Sequence, residues 1–492
     1  MELMWNDLDV SRVTGSTVSQ ALVEGSIPMP EGRSASEVLD SNGFVEVTET
    51  EVLDGKVTLS GRVSVSLILS GADGVFAFSS SAMFRHGVNV EGAKAGMAAN
   101  ANAQLQSLDV NLSNNALSMN AMVDIACRVE AGAQLRVLRG IRGVEDLELK
   151  EIPLTVSKKR EVADENVRLR EEISAPNAEN VLSANATAQV KDIHPNGSNA
   201  DVEGTLNVSA LCADKEGNLS QITESFPFSQ SVETDANSRD LSGTANVAAV
   251  NVRTVGEDFG LLAVDAMLGI QLFEKQEMSV TLPLDAYSPD LPFNCTHEHA
   301  RLLNYAGNAN GRHILRETVN VPEGMVAADR VIYGAGRPVV TASAVNSGRL
   351  NIEGLVFCRV IYRSENNSLY AFTEDLPFLA ELPVSASDDA EAIVNANCIC
   401  THASGAGRNV ELSFAIDLNA EVFELSDANV VTGITESELP NVPHGIIVYF
   451  AGAGETLFDV AKRFNISRAK LLSLNPVYSE TLEEGQRLMI LL

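Results

Sequence analysis

Basic residues are scarce in this sequence. The 492 residues carry 35 Lys and Arg against 66 Asp and Glu, which gives a formal net charge of −31. A chain of this charge repels phosphate backbones and anionic lipid unless its cations are clustered. The most basic stretch, 157–172, mixes five cations with five anions. It therefore predicts a solvated surface, and we expect no nucleic-acid partner.

Cysteines, a secretory signal and long apolar runs are also missing or rare. The six cysteines form no CxxC pair and favour buried thiols in a reducing compartment. The first ten residues include Asp7 and Asp9 where a secretory signal needs a basic region. The nearly apolar stretch 446–453 is far shorter than the ~20 residues of a membrane helix. These absences predict a cytoplasmic protein without membrane insertion.

Motifs that carry catalysis or bind cofactors are absent as well. We find no GxSxG, HExxH or GxxxxGK[ST] pattern, so we predict no enzyme and no cofactor. The one weak metal candidate combines Cys295 with His297 and His299, since two histidines two apart on a strand share a face. Solvated polar residues in a linker are the commoner arrangement, and we predict no metal.

An internal repeat of domain length runs through most of the chain. Three segments align around Gly61, Gly204 and Gly354, which are 143 and 150 residues apart. Apolar residues alternate on both sides of each glycine, a pattern that predicts strands with one buried face. Each glycine occupies the buried parity, where a missing side chain indicates a bulge or a close approach. Turn-forming residues twelve positions later predict hairpins.

Two further blocks recur in the same order. A second alternating strand appears around Val123, Leu268 and Phe414, and a Pro-containing block precedes each glycine strand. The triplets 226–228 and 376–378 of the second and third copies share a Pro-Phe ending, and in the first copy the aligned triplet is 83–85, which lacks it. The fold prediction is mainly β: three tandem β-sandwich or open-barrel repeats, with one possible helix at 92–104.

The predicted domains are set by the repeat period and by a change of pattern near the C-terminus. They are repeats at 1–150, 151–298 and 299–435, a linker at 436–444, and a small α+β domain at 445–492. In this last part Leu457, Val460, Ala461 and Phe464 follow a helical period. Thr456 with Asp459 predicts a capping box, and Ser467 predicts the start of a second helix. With two flanking strands this gives a βααβ unit.

This C-terminal unit resembles a LysM domain. The matching residues are Tyr449, Gly454, Glu455, Thr456, Leu457, Ala461, Phe464, Leu471, Leu472, Asn475, Pro476, Leu482, Gly485, Gln486, Leu488 and Ile490. Glu455 and Phe458 stand where the family usually has Asp and Trp. The resemblance implies a groove for N-acetylglucosamine polymers, with Gly454, Glu455, Thr456, Leu457 and Phe458 on one side and Asn475, Pro476 and Val477 on the other. The alternative is that these residues only cap helices and fill a small core.

The whole chain is similar to the SipL-like family of clostridial spore coat morphogenetic proteins, which join SPOCS repeats to a C-terminal LysM domain. The resemblance implies a non-catalytic scaffold that stays in the mother-cell cytoplasm at the forespore or spore coat surface. It also implies docking of the LysM domain on SpoIVA, the ATPase of the coat basement. The domain at 445–492 has five cations and five anions, and its neutrality favours a protein contact. The alternatives are a cell-wall protein that binds peptidoglycan or chitin, and a structural phage or surface protein.

Overall fold

The computed structural model describes residues 2–72, 74–114, 116–144, 146–236, 240–255, 260–437 and 445–492, with side chains throughout except at 8–12, 131–135, 300 and 436. Strands dominate these residues, and the two helices lie near the C-terminus. The prediction of a mainly β protein is confirmed. Among the described residues no helix has the length and apolarity needed to span a membrane.

In the described part of the chain, eighteen strands before the C-terminal domain form three consecutive sets of six, which we name repeats 1, 2 and 3. Repeat 1 contains β1 (Glu2–Ile27), β2 (Glu37–Leu53), β3 (Lys56–Gly71), β4 (Gly74–Asn89), β5 (Ala98–Ser113) and β6 (Ala116–Arg142). Repeat 2 contains β7 (Glu148–Ser174), β8 (Asn180–Asn196), β9 (Asn199–Ala213), β10 (Leu219–Glu233), β11 (Leu241–Val255) and β12 (Leu261–Tyr287). Repeat 3 contains β13 (Phe293–Asn320), β14 (Arg330–Asn346), β15 (Arg349–Arg363), β16 (Leu369–Pro383), β17 (Glu391–Ala406) and β18 (Asn409–Glu436).

The last strand of one repeat and the first strand of the next are separated by 143–147 and by 288–292. These positions come shortly before the predicted boundaries at 150 and 298, which fall inside β7 and β13. The domain division as a whole stays a prediction.

Each repeat packs two antiparallel sheets around its own core. One sheet is a meander of the second, third and fourth strands, and the other contains the fifth, sixth and first strands. The apolar cores lie between these sheets. Strands β1 and β13 meet side by side at Arg12 and Leu302, so the second sheets of repeats 1 and 3 join into one six-stranded sheet.

The possible helix predicted at 92–104 is not formed, and this prediction is wrong. Residues 92–97 form turns, and 98–104 begin strand β5, paired with β6. Gly92 and Gly96 adopt positive φ angles of 82° and 87°, which suit turns and interrupt a helix. Alternate residues of β5, such as Ala99 and Ala101, pack against the core of repeat 1. Tertiary packing therefore outweighs the helical propensity of the alanines.

The long strands extend beyond the sandwiches as two-stranded ribbons. In repeat 2, β11 pairs with β12 only as far as Glu274, whereas β12 continues to Tyr287 paired with β7 alone. The equivalent ends of β1 with β6 and of β13 with β18 behave in the same way. The three ribbons share apolar cores that contain Val137, Leu282 and Val430. We call the β7–β12 extension, 148–160 with 274–287, ribbon 2.

The meanders of the three repeats also meet one another. A β-bulge leaves one extra residue near the start of β2, β8 and β14, at Leu39, Leu182 and Ile332. All three contribute to one apolar cluster, which we call the three-repeat junction. Because a bulge re-aims a side chain out of the regular alternation, these residues pack between repeats instead of within them.

The C-terminal domain has the order β19 (Ile446–Phe450), α1 (Leu457–Arg463), α2 (Arg468–Leu474) and β20 (Arg487–Leu491). Helix α1 begins with the predicted capping box between Thr456 and Asp459. Ser467 caps α2 by accepting a hydrogen bond from the Lys470 amide. The apolar face of both helices packs on the two-stranded antiparallel sheet of β19 and β20 in a small core.

Candidate functional site

The first wall of the candidate groove, which comprises 454–458, is held by a network around Glu455. The Glu455 carboxylate accepts hydrogen bonds from the Tyr449 hydroxyl at 2.9 Å and the Gly452 amide at 2.8 Å. It also forms an ion pair with Arg463 at 2.7 Å. The Gly452 amide is the main reason that the pKa of Glu455 lies below its usual value. The carboxylate is therefore charged, and its protein partners fix its position.

Gly454 lies at the exposed tip of this wall. Its φ of 76° is in the left-handed region, and no atom lies within 4 Å of the place where a Cβ would be. Glycine is thus required here by backbone conformation, not by crowding. Thr456 is half-buried, and its side chain is engaged in the capping box.

Leu457 and Phe458 belong to the core and not to the groove surface. Their exposed fractions are 4% and 0%. The Leu457 amide donates to the Glu480 carbonyl at 2.9 Å, and the Phe458 amide donates to the Glu480 side chain at 3.3 Å. Their backbone therefore joins the first wall to the loop that follows the second wall.

The second wall, which comprises 475–477, contains a buried asparagine and an exposed proline. The Asn475 side chain donates to the carbonyls of Leu471 at 2.8 Å and Met489 at 2.7 Å, and accepts from the Met489 amide at 2.7 Å. Asn475 thus ties α2 to β20. Pro476 is exposed and Val477 half-buried. The next residue, Tyr478, is 98% exposed.

The helical side of the C-terminal domain rests on the end of ribbon 2. Among the residues that the structure describes, three ion pairs cross this contact. Lys150 meets Asp459 at 2.9 Å, Asp285 meets Lys462 at 2.6 Å, and Glu148 meets Arg468 at 2.6 Å. The charges alternate on both partners, which makes the two surfaces complementary. We call this contact the seat.

Tyr287 supplies the apolar centre of the seat. Its ring packs edge-on against Phe458, with 5.1 Å between ring centroids, and its hydroxyl donates to the Ile466 carbonyl at 2.8 Å. Burial and the nearby Glu148 raise the pKa of Tyr287, so the hydroxyl remains a donor. The Asn465 side chain donates to the Pro289 carbonyl at 3.1 Å beside it.

Sequence reasoning did not find the seat residues of repeat 2. Tyr287 and Ile466 are 179 residues apart, and charged or aromatic residues at a strand end carry no motif. The one feature of the sequence that pointed to this contact was Phe458, which stands where the LysM family usually has Trp.

The three residues of the weak metal candidate, Cys295, His297 and His299, have separate protein partners and do not form a metal site. The Cys295 thiol lies 3.5 Å from the Ala286 carbonyl, and a His297 ring nitrogen lies 2.9 Å from the Leu284 carbonyl. His299 contacts Asn429 and Asp427 instead. Within the described part of the chain, no group of three or more His, Cys, Asp or Glu residues could hold a metal ion.

Comparison with known proteins identifies two domains. Residues 34–113, which span β2 to β5, match the SipL, SPOCS domain family, and residues 452–490 match the LysM domain family. No curated protein and no solved structure matches the chain. Both families are binding domains and not enzymes. The chain thus carries a SipL, SPOCS domain within its first repeat and a LysM domain at its C-terminus, the combination that the sequence predicted.

Proposed function

We propose that this protein is a non-catalytic scaffold in spore coat assembly and that its LysM domain docks on the coat basement ATPase SpoIVA. A SPOCS domain and a LysM domain in one chain fit a sporulation role in the coat or in cell-wall binding. The observation that carries the proposal is the seat: the LysM domain is fixed on the repeats, with Gly454 and Pro476 of its two walls exposed.

The architecture supports a scaffold. Three repeats share apolar cores at the junction and along the ribbons, so a force on the LysM domain passes into a packed body. The LysM domain is electrically neutral, whereas the whole chain carries −31. A neutral head approaches a protein surface without the long-range repulsion that the body creates. We place the protein in the mother-cell cytoplasm at the forespore surface.

Binding of N-acetylglucosamine polymers, as in peptidoglycan, is the second candidate function. LysM is a family that suggests such glycans, and the exposed Tyr478 beside the second wall favours it. An exposed aromatic ring offers an apolar face with a polar tip. Glu455 weakens this candidate, because its carboxylate is already occupied by Tyr449, Gly452 and Arg463.

Pull-down of purified SpoIVA tests the proposal. The groove variant Pro476→Asp with Tyr478→Ala changes two exposed side chains, so the fold should survive. We expect its recovery of SpoIVA to fall about tenfold, which corresponds to ~1.4 kcal/mol. A chain truncated at 440 should recover none. Leu457→Asp is unsuitable as a probe, because Leu457 is in the core.

The matched control is Ala469→Asp, which adds a carboxylate to an exposed position near the start of α2, outside 454–458 and 475–477. It should recover SpoIVA as the wild type does. Equal recovery by the truncated chain would contradict the docking role. Sedimentation with purified peptidoglycan distinguishes the second candidate: saturable binding there, without capture of SpoIVA, would replace the proposed function with glycan binding.

A further inference from the structure

We propose that ribbon 2 is part of the binding head: Glu148, Lys150, Asp285 and Tyr287 hold the LysM domain in one orientation and position both groove walls. The inference rests on the proposed function, which it deepens by assigning positioning residues outside the LysM domain. The partner then meets a composite of the LysM domain and repeat 2, not a small domain that turns freely on a linker.

The first wall is connected to ribbon 2 through Asp459. Lys150 reaches one carboxylate oxygen of Asp459 at 2.9 Å. The other oxygen accepts from the Thr456 amide at 3.0 Å and the Thr456 hydroxyl at 2.8 Å. Burial opposes ionisation of Asp459, but the hydrogen bonds from Lys150 and Thr456 prevail and lower its pKa. Thr456 and Lys150 are therefore bound to the same charged group.

Arg468 makes the second connection, at the start of the helix α2 that leads into the second wall. Glu148 accepts from the Arg468 amide at 2.9 Å and from its guanidinium at 2.6 Å. The same guanidinium lies 3.6 Å from the Glu480 carboxylate. The Glu480 carboxylate accepts a hydrogen bond from the Phe458 amide, and the Glu480 backbone carbonyl accepts one from the Leu457 amide. A displacement of Glu148 would thus be transmitted to the loop after the second wall and to the backbone of the first.

The third ion pair and the aromatic contact set the orientation of the domain. Asp285 meets Lys462 on the same side of α1 as Tyr287 meets Phe458. Rotation of the LysM domain on ribbon 2 would bring like charges together, because Glu148 and Asp285 are acidic whereas Lys150 is basic. Like-charge contacts exclude the wrong orientations. Phe458 has no exposed surface, so this side of the domain is closed to a partner.

A charge-swap experiment on the full chain tests the inference. Lys462 and Asp285 line neither wall, and their side chains are 36% and 23% exposed. Lys462→Glu and Asp285→Lys each place like charges across the seat, whereas the double variant restores an opposite pair. The hydrogen-exchange rate of the α1 amides reports whether the seat contact is intact. Capture of purified SpoIVA and of peptidoglycan measures binding. Protection of β19 and β20 shows whether the domain remains folded.

We expect each single variant to raise exchange in α1 and to weaken capture about tenfold, and the swap to restore both to within about threefold. Single variants that loosen α1 but capture the partner normally would overturn the inference and leave the proposed function intact. Unchanged exchange in both single variants would overturn it as well. Wild-type protein that captures neither SpoIVA nor peptidoglycan would instead refute the proposed function on which the inference rests.

Discussion

Three glycines determine how closely the strands of each meander approach. Gly61, Gly204 and Gly354 lie directly opposite a phenylalanine on the next strand, namely Phe84, Phe228 and Phe378. A Cβ on any of them would lie within 3.0 Å of that ring and of a backbone carbonyl on the other neighbouring strand. The close approach predicted from the glycine parity is therefore observed.

The pairing also corrects one sequence alignment. Phe84 occupies the place of Phe228 and Phe378, so the matching triplet in repeat 1 is 82–84 and not 83–85. The error was one residue, because the turn between β3 and β4 is shorter than its counterparts. Repeat 1 thus keeps the ring that fills the glycine gap.

Gly204→Ala should destabilise repeat 2. The new methyl group would collide with the Phe228 ring and the Gln189 carbonyl, neither of which can move freely within the sheets. We expect overpacking of this kind to lower the free energy of unfolding by about 2–3 kcal/mol. Urea unfolding, followed by hydrogen exchange in β8 to β10, measures the loss. Gly269→Ala is the control, since its nearest neighbour would be 3.6 Å away. Equal effects of the two substitutions would contradict the close-packing explanation.

The helices of the LysM domain show how far local sequence specifies an element. Their starts at Thr456 and Ser467 follow from capping residues, which act within four positions and are visible in the sequence. The role of Asn475 is different. Its side chain bonds across to β20 at Met489, fourteen residues later, and the sequence indicated only a groove position. A direct contact of Asn475 with a ligand stays a prediction.

Asn475→Ala should unfold the LysM domain locally. It removes three hydrogen bonds and leaves the Met489 amide and carbonyl without their partner. Unsatisfied buried groups cost ~1–3 kcal/mol each, so we expect hydrogen exchange to accelerate across 445–492. The exposed Ser473→Ala, on the same helix, should have little effect. Comparable acceleration in both variants would rule out the proposed link between α2 and β20.

At the scale of the whole molecule, a buried carboxyl lies at the three-repeat junction. Asp40 of repeat 1 is 4% exposed, and burial raises its pKa to about 6 despite the charge of Arg359 from repeat 3. The Arg359 guanidinium donates to the Leu39 carbonyl at 2.6 Å and the Val38 carbonyl at 2.7 Å. The buried Tyr333 lies close enough for the charge of Asp40 to raise its pKa further.

Ionisation of Asp40 should lower the free energy of unfolding as pH rises from about 4 to about 6. The native state keeps the proton of Asp40 up to about 6, whereas the unfolded chain releases it near 3.8. Unfolding therefore releases a proton in this window, and the shift corresponds to roughly 3 kcal/mol. Asp40→Asn should remove this part of the pH dependence and stabilise the protein at pH 7, as measured by chemical denaturation at several pH values.

Glu31→Gln provides the control, because Glu31 is exposed in the turn after β1. It should follow the wild-type curve. If Asp40→Asn retained the full wild-type slope, the buried carboxyl would not be the source of the pH dependence.

The sequence by itself determined the two alternating strands of each repeat, the repeated glycine positions and the caps of the LysM helices, but not β5, where it predicted a possible helix. These features depend on alternation and on neighbours a few residues apart, which any reader of the chain can see. It did not determine how the repeats meet. Ile68, Leu211 and Ile361 lie on the strand face opposite the core, yet their exposed fractions are 2%, 0% and 0%. Other repeats cover them at the junction.

The candidate site divides in the same way. The LysM pattern predicted its two walls, which stay a prediction, whereas no sequence pattern indicated the seat. The ion pairs and the aromatic contact join residues about 170 to 320 positions apart, so they exist only where the tertiary structure brings ribbon 2 and the C-terminal domain together. Local patterns specify elements, because their causes are local. Tertiary structure decided which faces are buried against other domains, because burial depends on surfaces brought together from distant parts of the chain.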